Sequence, residues 1–530
     1  MRILLLCLLV ILGCSKKANK GDGKLLVYCS EGSPTAFNPQ IITDGTTSNA
    51  VTKPVYNRLI EFEYGKTSLT PGLASSWDVS EDKLSYVFHL KKGIKFHTTK
   101  YFTPTRDFNA DDVIFSILRQ KDPTHPYHKV SGGSYDYFKG MEMDSLLSAV
   151  QKVDDYTVKL VLSRPNAPFL ANMAMGFMSI LSKEYADKLA SAGKMEDIDQ
   201  MPIGTGPFIY EKYTKDTLIR YKANKEYFGE TPKIDKLVFS ITPDASVRFQ
   251  KLKTGECHFV TYPAPQDIKA MKKLDGIKVL EDSGLNVGYL AMNVTKGPLA
   301  TVKVRQAINH ALNRESYIES IYLGQGMKAT APLPPTMWGH NKNLAGYKHD
   351  PELAKNMLAE AGYPKGFETT LWVLPVARPY IPNGKKLGEM MQADLARVGI
   401  KAEIVTYDWG TYLSKSKKGD HGLIQLGWTG DNGDPDNFLH VLLGCASVDA
   451  GSNVARWCND DFNNLIEQAQ RETDIKVRTK LYLKAQEIFK AQAPWATIAH
   501  SKVFKAMSKN LSGYKMDPLG HDIFTWVEFK

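Results

Sequence analysis

The chain has 530 residues, of which 43% are hydrophobic and 23% charged, and it carries a formal net charge of +10. A single hydrophobic core does not grow to that length, so at least two lobes are expected. The basic residues lie beside acids, as in Glu81-Asp82-Lys83, rather than in one block, which argues against a nucleic-acid footprint.

At the N-terminus, Met1-Arg2 precedes the apolar run Ile3 to Leu12, too short for a resident membrane span and built like the core of an export signal. Ile11-Leu12-Gly13-Cys14 resembles a bacterial lipobox. Residues 1–13 are therefore expected to leave as a signal peptide, with Cys14 lipidated and 14–24 serving as a polar tether. An ordinary signal with an incidental cysteine is the alternative. The lipid reading puts the mature chain in the periplasm, anchored to a bacterial membrane. Export also governs the cysteines. Apart from Cys7 and Cys14, the residues Cys29, Cys257, Cys445 and Cys458 allow three disulfide pairings. Cys445–Cys458 closes a short loop and leaves Cys29–Cys257 as its companion. No histidine stands at ligand spacing beside them, so no metal site is expected.

Leu25-Leu26-Val27-Tyr28 predicts a first strand, followed by a turn over Ser30 to Pro34 and a hydroxyl-rich loop, Thr43 to Thr47, with exposable backbone N–H groups. Asn49 to Tyr64 predicts a short helix over Tyr56 to Ile60 that runs into a strand. Tyr86 to Leu90 and Lys92 to His97 alternate as half-buried strands do. Asn109-Ala110-Asp111-Asp112 ahead of an apolar run is an N-capped helix start. Val153 to Leu162 predicts a strand pair. Gly204-Thr205-Gly206-Pro207-Phe208 is a tight turn that lacks the Lys-Ser/Thr of a phosphate loop. Leu218 to Tyr221 and Lys236 to Ile241 predict further strands, and Asp244 to Leu252 a helix with Ala245, Val247 and Leu252 inward.

Beyond about Asp282, helices (Val302 to Leu312, Pro351 to Ala361, Gly384 to Val398) alternate with strands (Phe367 to Leu374, Lys401 to Thr406, Leu423 to Leu426), the mark of an α/β lobe. Near Ala491 to Pro494 the chain turns back, and Phe504 to Lys530 has the short-strand texture of the first lobe. Two crossovers between two lobes imply a hinge with a ligand cleft.

The most informative stretch is Gly427 to Asn437, directly after the strand-like run Leu423 to Leu426. Asp431, Asp434 and Asp436 crowd a turn whose glycines let the backbone come close to a ligand. Such a loop can aim one carboxylate into a cleft while the others hold its shape; an acidic surface turn is the plain alternative. Gly433 and Phe438 fall where a calcium loop needs ligands. His125 and His128 are not expected to hold a metal, because Pro126 breaks the helix they would need.

Tyr56-Asn57-Arg58-Leu59, Leu69 to Trp77, Tyr86 to His97, Phe108 to Val113, Gly204 to Phe208 and Val302 to Ala307 together resemble the signature of extracellular solute-binding proteins of the peptide and nickel class, family 5. Leu26 to Pro34, Pro126 to Tyr135 and Gly427 to Asn437 are similar to the dipeptide-binding branch that serves bacterial ABC importers. Phe96 to Lys100, Phe102 to Phe108 and the lipid-type leader are similar to the related haem-binding lipoproteins.

The resemblance implies an α/β, two-lobed periplasmic solute-binding fold of type II with an extra subdomain. Lobe I would span 25–283 with an insertion over about 56–203, lobe II 284–501, and a return to lobe I 502–530, joined by a two-crossover hinge. It implies binding without catalysis or cofactor: dipeptides as ligand, haem or glutathione as the alternative, ABC permease subunits as partners, and a monomer held to the membrane only by its lipid. In Trp428-Thr429-Gly430-Asp431 the implied role of Asp431 is to pair with the ligand α-amino group. In Pro375-Val376-Ala377-Arg378-Pro379-Tyr380, Arg378 would take the α-carboxylate. Tyr380, Trp428, Tyr135 and the loop residues Thr43, Gly45 and Thr46 are expected to line the site.

The chemistry suits these roles. Closing a cleft over a zwitterion strips both termini of water, so each must meet an opposite charge with good hydrogen bonds. Arginine offers a planar fork for a carboxylate that lysine cannot match. A fixed separation between the two groups measures ligand length, because each added residue extends a peptide by roughly 3.3–3.6 Å. A hydrolase is the competing class, with Asp434 and Asp436 as its carboxylates, but no Gly-x-Ser-x-Gly or His-Glu-x-x-His accompanies them. A structural or adhesin role, the third class, predicts no small-molecule affinity.

Overall fold

Strand Leu25–Ser30 sits inside the main sheet, parallel to Lys236–Ile241 on one side and to Phe259–Thr261 on the other. Its alternation explains why: Leu26 and Tyr28 are fully buried, with Tyr28 wedged against Phe239 and Phe524 at 4.6 and 5.2 Å between ring centroids. The computed structural model describes residues 24–530; the expected signal peptide, Cys14 and all but the last residue of the tether lie outside the described residues.

Across the main sheet the strands follow the order Lys401–Val405, Glu368–Trp372, Leu423–Thr429, Asn286–Met292, Trp495–Ser508, Phe259–Thr261, Leu25–Ser30, Lys236–Ile241, Leu218–Ala223 and Phe208–Thr214. The long strand Trp495–Ser508 belongs to both halves. Its first part pairs with Asn286–Met292 and Gly326–Lys328, and its last part with Phe259–Thr261 and Ile277–Ser283. The chain therefore passes between two lobes twice, once inside this strand and once between Ser283 and Asn286. The two passages are bolted together: the Asn286 amide donates to the Ser501 carbonyl at 2.9 Å, and its oxygen accepts the Ser501 N–H at 3.0 Å. Gly284 is bare because a Cβ there would lie 2.6 Å from the same Ser501 carbonyl.

A separate antiparallel sheet, Ala74–Val79, Ser85–Leu90, Thr157–Leu162 and Leu147–Asp154, is covered by helix Ala110–Lys121. Asn109 caps that helix, as the sequence suggested, and Asp112 closes a capping box with it. On the same helix, Arg119 forms a fully buried ion pair with Asp199, both contacts at 2.8 Å, and Asn38 adds a bond to Asp199 at 2.7 Å. Disulfides join Cys29 to Cys257 and Cys445 to Cys458.

Three local expectations are corrected. The helix expected over Tyr56 to Ile60 lies earlier, at Gly45–Val55, N-capped by Asp44. It closes at Val55, with Pro54 in its last turn and Tyr56 extended, and the buried Arg58 guanidinium beyond it takes the carbonyls of Thr52 and Tyr56. Lys92 to His97 forms no strand: Ile94 and Phe96 are buried, but the His97 N–H goes to the Gly204 carbonyl rather than to a ladder. In helix Ala245–Thr254 the inward residues are Arg248, Phe249 and Leu252, while Val247 is exposed. Arg248 is drawn inward by the carbonyls of Thr242, Pro243, Thr261 and Tyr262.

Breaking a buried ion pair leaves an uncompensated charge. Arg119→Ala should therefore cost about 3–5 kcal/mol in urea unfolding. A loss below about 1 kcal/mol, the range of surface pairs, would show that Asp199 finds another partner.

Candidate ligand-binding cleft

Between the lobes lies a cavity of about 140 Å³ to which both bring charged groups. The second lobe contributes Arg378 from a tight hairpin, in which Arg378 and Ile381 exchange backbone hydrogen bonds of 3.1 Å around Pro379-Tyr380. The hairpin is seated by Tyr380. Gly288 and Gly427 face each other in register on neighbouring strands, and Tyr380 fills the trough they leave: a Cβ on Gly427 would sit 2.5 Å from its Cγ, and one on Gly288 closer still to its carbonyl oxygen. Tyr322 and Ser501 donate hydroxyl bonds, each 2.6 Å, to the carbonyls of Tyr380 and Pro379.

From that base the Arg378 guanidinium reaches the first lobe. Nη1 donates to Glu31 Oε1 at 3.0 Å and Nη2 to Thr46 Oγ1 at 2.8 Å, while the plane lies over Trp409 at 4.8 Å. Thr46 also donates to Glu31 Oε1 at 2.7 Å, which closes the ring. Arg378 is 5% exposed and Glu31 2%. Burial opposes the charge on Arg378, but Glu31, aided by Tyr380 and Tyr262, outweighs it and holds the pKa above its ordinary value. The group stays a cation.

Asp431 follows the buried strand Leu423–Thr429. Asn437 fixes the turn by accepting both the Asp431 N–H at 2.8 Å and Trp428 Nε1–H at 3.0 Å. Asp434 is held by both nitrogens of the Arg478 fork, at 2.9 and 2.8 Å, and accepts the Asp436 N–H at 3.0 Å. Asp436 is wholly buried at the start of helix Asp436–Leu443, and burial pushes its pKa up to about 6. Of the three acids, Asp431 alone lines the cavity. Its carboxylate accepts a hydrogen bond from Tyr137 of the first lobe. Burial pushes its pKa up to about 7, against the opposing pull of the Tyr137 and Asn437 hydrogen bonds.

Arg378, Tyr380, Trp428, Asp431, Thr43 and Gly45 all line this one cavity. Thr46 does not line it and acts through Arg378. Tyr135 corrects the expectation: it is fully buried elsewhere, its hydroxyl donating to the His128 carbonyl at 3.0 Å. From this segment the tyrosine that lines the cleft is Tyr137, two residues on, inside the short helix Asp136–Gly140 that begins after Tyr135. Glu31, Asp44, Trp409 and the ion pair of Lys417 with Asp136 were also missed. Asp44-Gly45-Thr46-Thr47 carried a usable signal, an Asx cap whose oxygen accepts the Thr47 N–H at 2.9 Å and so points a helix start at the cleft.

Two lobes on a shared strand, closing on a cavity with opposite charges at fixed places, define a solute-binding protein. A family description, bacterial extracellular solute-binding proteins, family 5 (middle part), matches residues 68–450, and the chain belongs to that family. The dipeptide-binding protein of Escherichia coli is 55% identical over 509 residues, covering 96% of this chain and 95% of the relative. Heme-binding protein A of Haemophilus influenzae is 48% identical over 512 residues, covering 96% and 93%. The crystal structure of a dipeptide-binding protein from a Pseudoalteromonas species in complex with Met-Leu superposes with a TM-score of 0.93 at 40% identity, covering 96% of this chain and 100% of that one. Among the described residues no helix is long and apolar enough to cross a membrane.

The Tyr137 hydrogen bond stabilises the ionised Asp431. Tyr137→Phe should therefore raise the Asp431 pKa above about 7, as followed by the carboxyl carbon chemical shift in an NMR titration. An unchanged or lowered midpoint would break the assignment.

Proposed function

We propose that this chain captures dipeptides in the interlobe cleft and delivers them to an ABC permease, held to a bacterial membrane by a lipid on Cys14. The observation that carries the reading is that Arg378 and Asp431, one on a rigid hairpin and one on a braced loop, face the same cavity. A ligand carboxylate meets a guanidinium that cannot lose its charge. A ligand ammonium takes the place of the Tyr137 hydroxyl on Asp431, and that carboxylate then ionises fully. Trp428 and Tyr380 offer faces that pack on the ligand without reading its side chains, which suits breadth in sequence and strictness in length. The names of the relatives favour the same ligand class. Closure about the two crossovers, near 283–286 and 501–502, brings the lobes into the geometry a permease recognises, so the ligand is read as a shape rather than transformed.

Isothermal titration of the ligand-stripped mature protein with Ala-Phe, a tripeptide, glutathione and haem tests the reading. Tight binding of Ala-Phe with a large loss for the tripeptide is expected, since an unpaired buried terminus costs about 2–5 kcal/mol. Asp431→Ala and Arg378→Ala should each abolish dipeptide binding. Silence towards dipeptides with uptake of haem or glutathione would overturn the assigned roles.

The pH dependence has a definite sign. An ammonium favours the carboxylate, so binding lowers the pKa of Asp431 from about 7 and releases a proton. Affinity should rise with pH through that value and flatten above it, until the ligand amino group, which titrates near about 8, loses its own proton. Affinity at pH 5.5 should be about tenfold or more below that at pH 7.5; a flat profile would remove Asp431 from the ammonium site.

A further inference from the structure

Behind Arg378 is a second cavity, of about 40 Å³, at the crossovers between the lobes. It shares Tyr262, Arg378 and Pro379 with the ligand cleft, so these three residues are the wall between the two spaces. Tyr262 is a fixed part of that wall: its backbone is left-handed at φ 45° and its carbonyl accepts Arg248 Nη2–H at 3.0 Å. The Arg378 side chain is fixed only by its partners. Glu31 Oε1 accepts from Nη1 and from Thr46, Thr46 Oγ1 accepts from Nη2, Nη1 also reaches the Ala377 carbonyl at 3.2 Å, and Glu31 Oε2 is buried without a hydrogen bond. The small cavity has the character of a subsite for one more residue of an extended ligand. Pro263 and Phe504 give it apolar walls, and Lys502, whose ammonium pairs with Glu281 at 3.2 Å, supplies a cation for a displaced carboxylate.

From this geometry we infer that Glu31 is a specificity-determining residue: by pinning Arg378 across the boundary between the two cavities, it keeps a third ligand residue out. The inference rests on the reading of the cleft as a dipeptide site. With the Glu31 side chain cut back, Arg378 keeps its stacking on Trp409 but loses the accepting oxygen that holds it in the wall. It can then follow the carboxylate of a longer ligand instead of barring it. An amide in place of the carboxylate keeps an oxygen that accepts from both Arg378 and Thr46, so Glu31→Gln should preserve the barrier where Glu31→Ala removes it.

The test is the ratio of the Kd for Ala-Phe-Ala to that for Ala-Phe, measured by titration calorimetry on the wild-type protein, E31A, E31Q and T46V. Expected is a ratio that narrows by about tenfold or more in E31A, narrows less in T46V and holds in E31Q, with K502M in the E31A background widening it again. If E31A does not fold, T46V carries the same comparison without disturbing the buried charge. A parallel loss of both ligands in E31A, or an unchanged ratio in E31A and T46V, would overturn the inference while leaving the dipeptide reading intact. Wild-type protein without affinity for Ala-Phe would overturn that reading, and the role of Glu31 with it.

Discussion

A guanidinium taken out of water costs several kcal/mol unless a counter-charge and hydrogen bonds meet it, and at Arg378 the counter-charge comes from the opposite lobe. Glu31 follows the first strand and Thr46 lies in the first helix, whereas Arg378 rises from the second lobe. The closed arrangement is thus built on a charge that neither lobe satisfies alone. The supporting parts follow from it. Tyr380 needs its glycine trough so that the hairpin cannot rock, and Trp409 covers the face of the guanidinium that hydrogen bonds cannot reach. The other end repeats the pattern with opposite sign, Asp431 from the second lobe meeting Tyr137 from the first.

The two ends nevertheless differ in kind. Arg378 keeps its charge at any pH the fold tolerates, and Glu31 keeps that charge balanced. Asp431 has no counter-ion among its hydrogen-bond partners, only a phenol and an amide-fixed turn, so burial alone brings it to the edge of neutrality. At each end of the cleft the charged group is thus already engaged by an internal partner, Glu31 and Thr46 at Arg378 and Tyr137 at Asp431.

Much of this was legible in the sequence. The α/β alternation placed three of the second-lobe helices to within a residue, and at two of them a side-chain cap agrees with the apolar periodicity: Asn383 caps Gly384–Arg397 and Asp350 caps Pro351–Glu360. Lys236–Ile241 was legible as a strand for the same reason, its alternation being undisturbed by tertiary demands. Helix Gly45–Val55 was not, since its threonines, valines and Pro54 read as loop and only the Asp44 cap gives it away. The site divided along a similar line. Arg378 and Asp431, which line one cavity, stand in motifs, and the roles expected of them came with the family resemblance. Glu31 and Tyr137 have no local signal, because what makes them matter is a partner more than 290 residues distant in the chain. Tyr135 and Tyr137 differ only in where a short helix begins, and sequence does not resolve a two-residue choice of that sort. Arg248 is the converse case: a charged residue that reads as surface is buried because four carbonyls converge on it.

The long strand Trp495–Ser508 has a consequence for the order in which this molecule can be assembled. It is the shared central member of both half-sheets, yet it lies in the last tenth of the chain. While the chain is still being made, each half-sheet lacks the strand against which Asn286–Met292 and Phe259–Thr261 must pair, so neither lobe can be finished first and parked. Both are completed by one late event. The strand that joins the two half-sheets is therefore the one that locks both lobes at once.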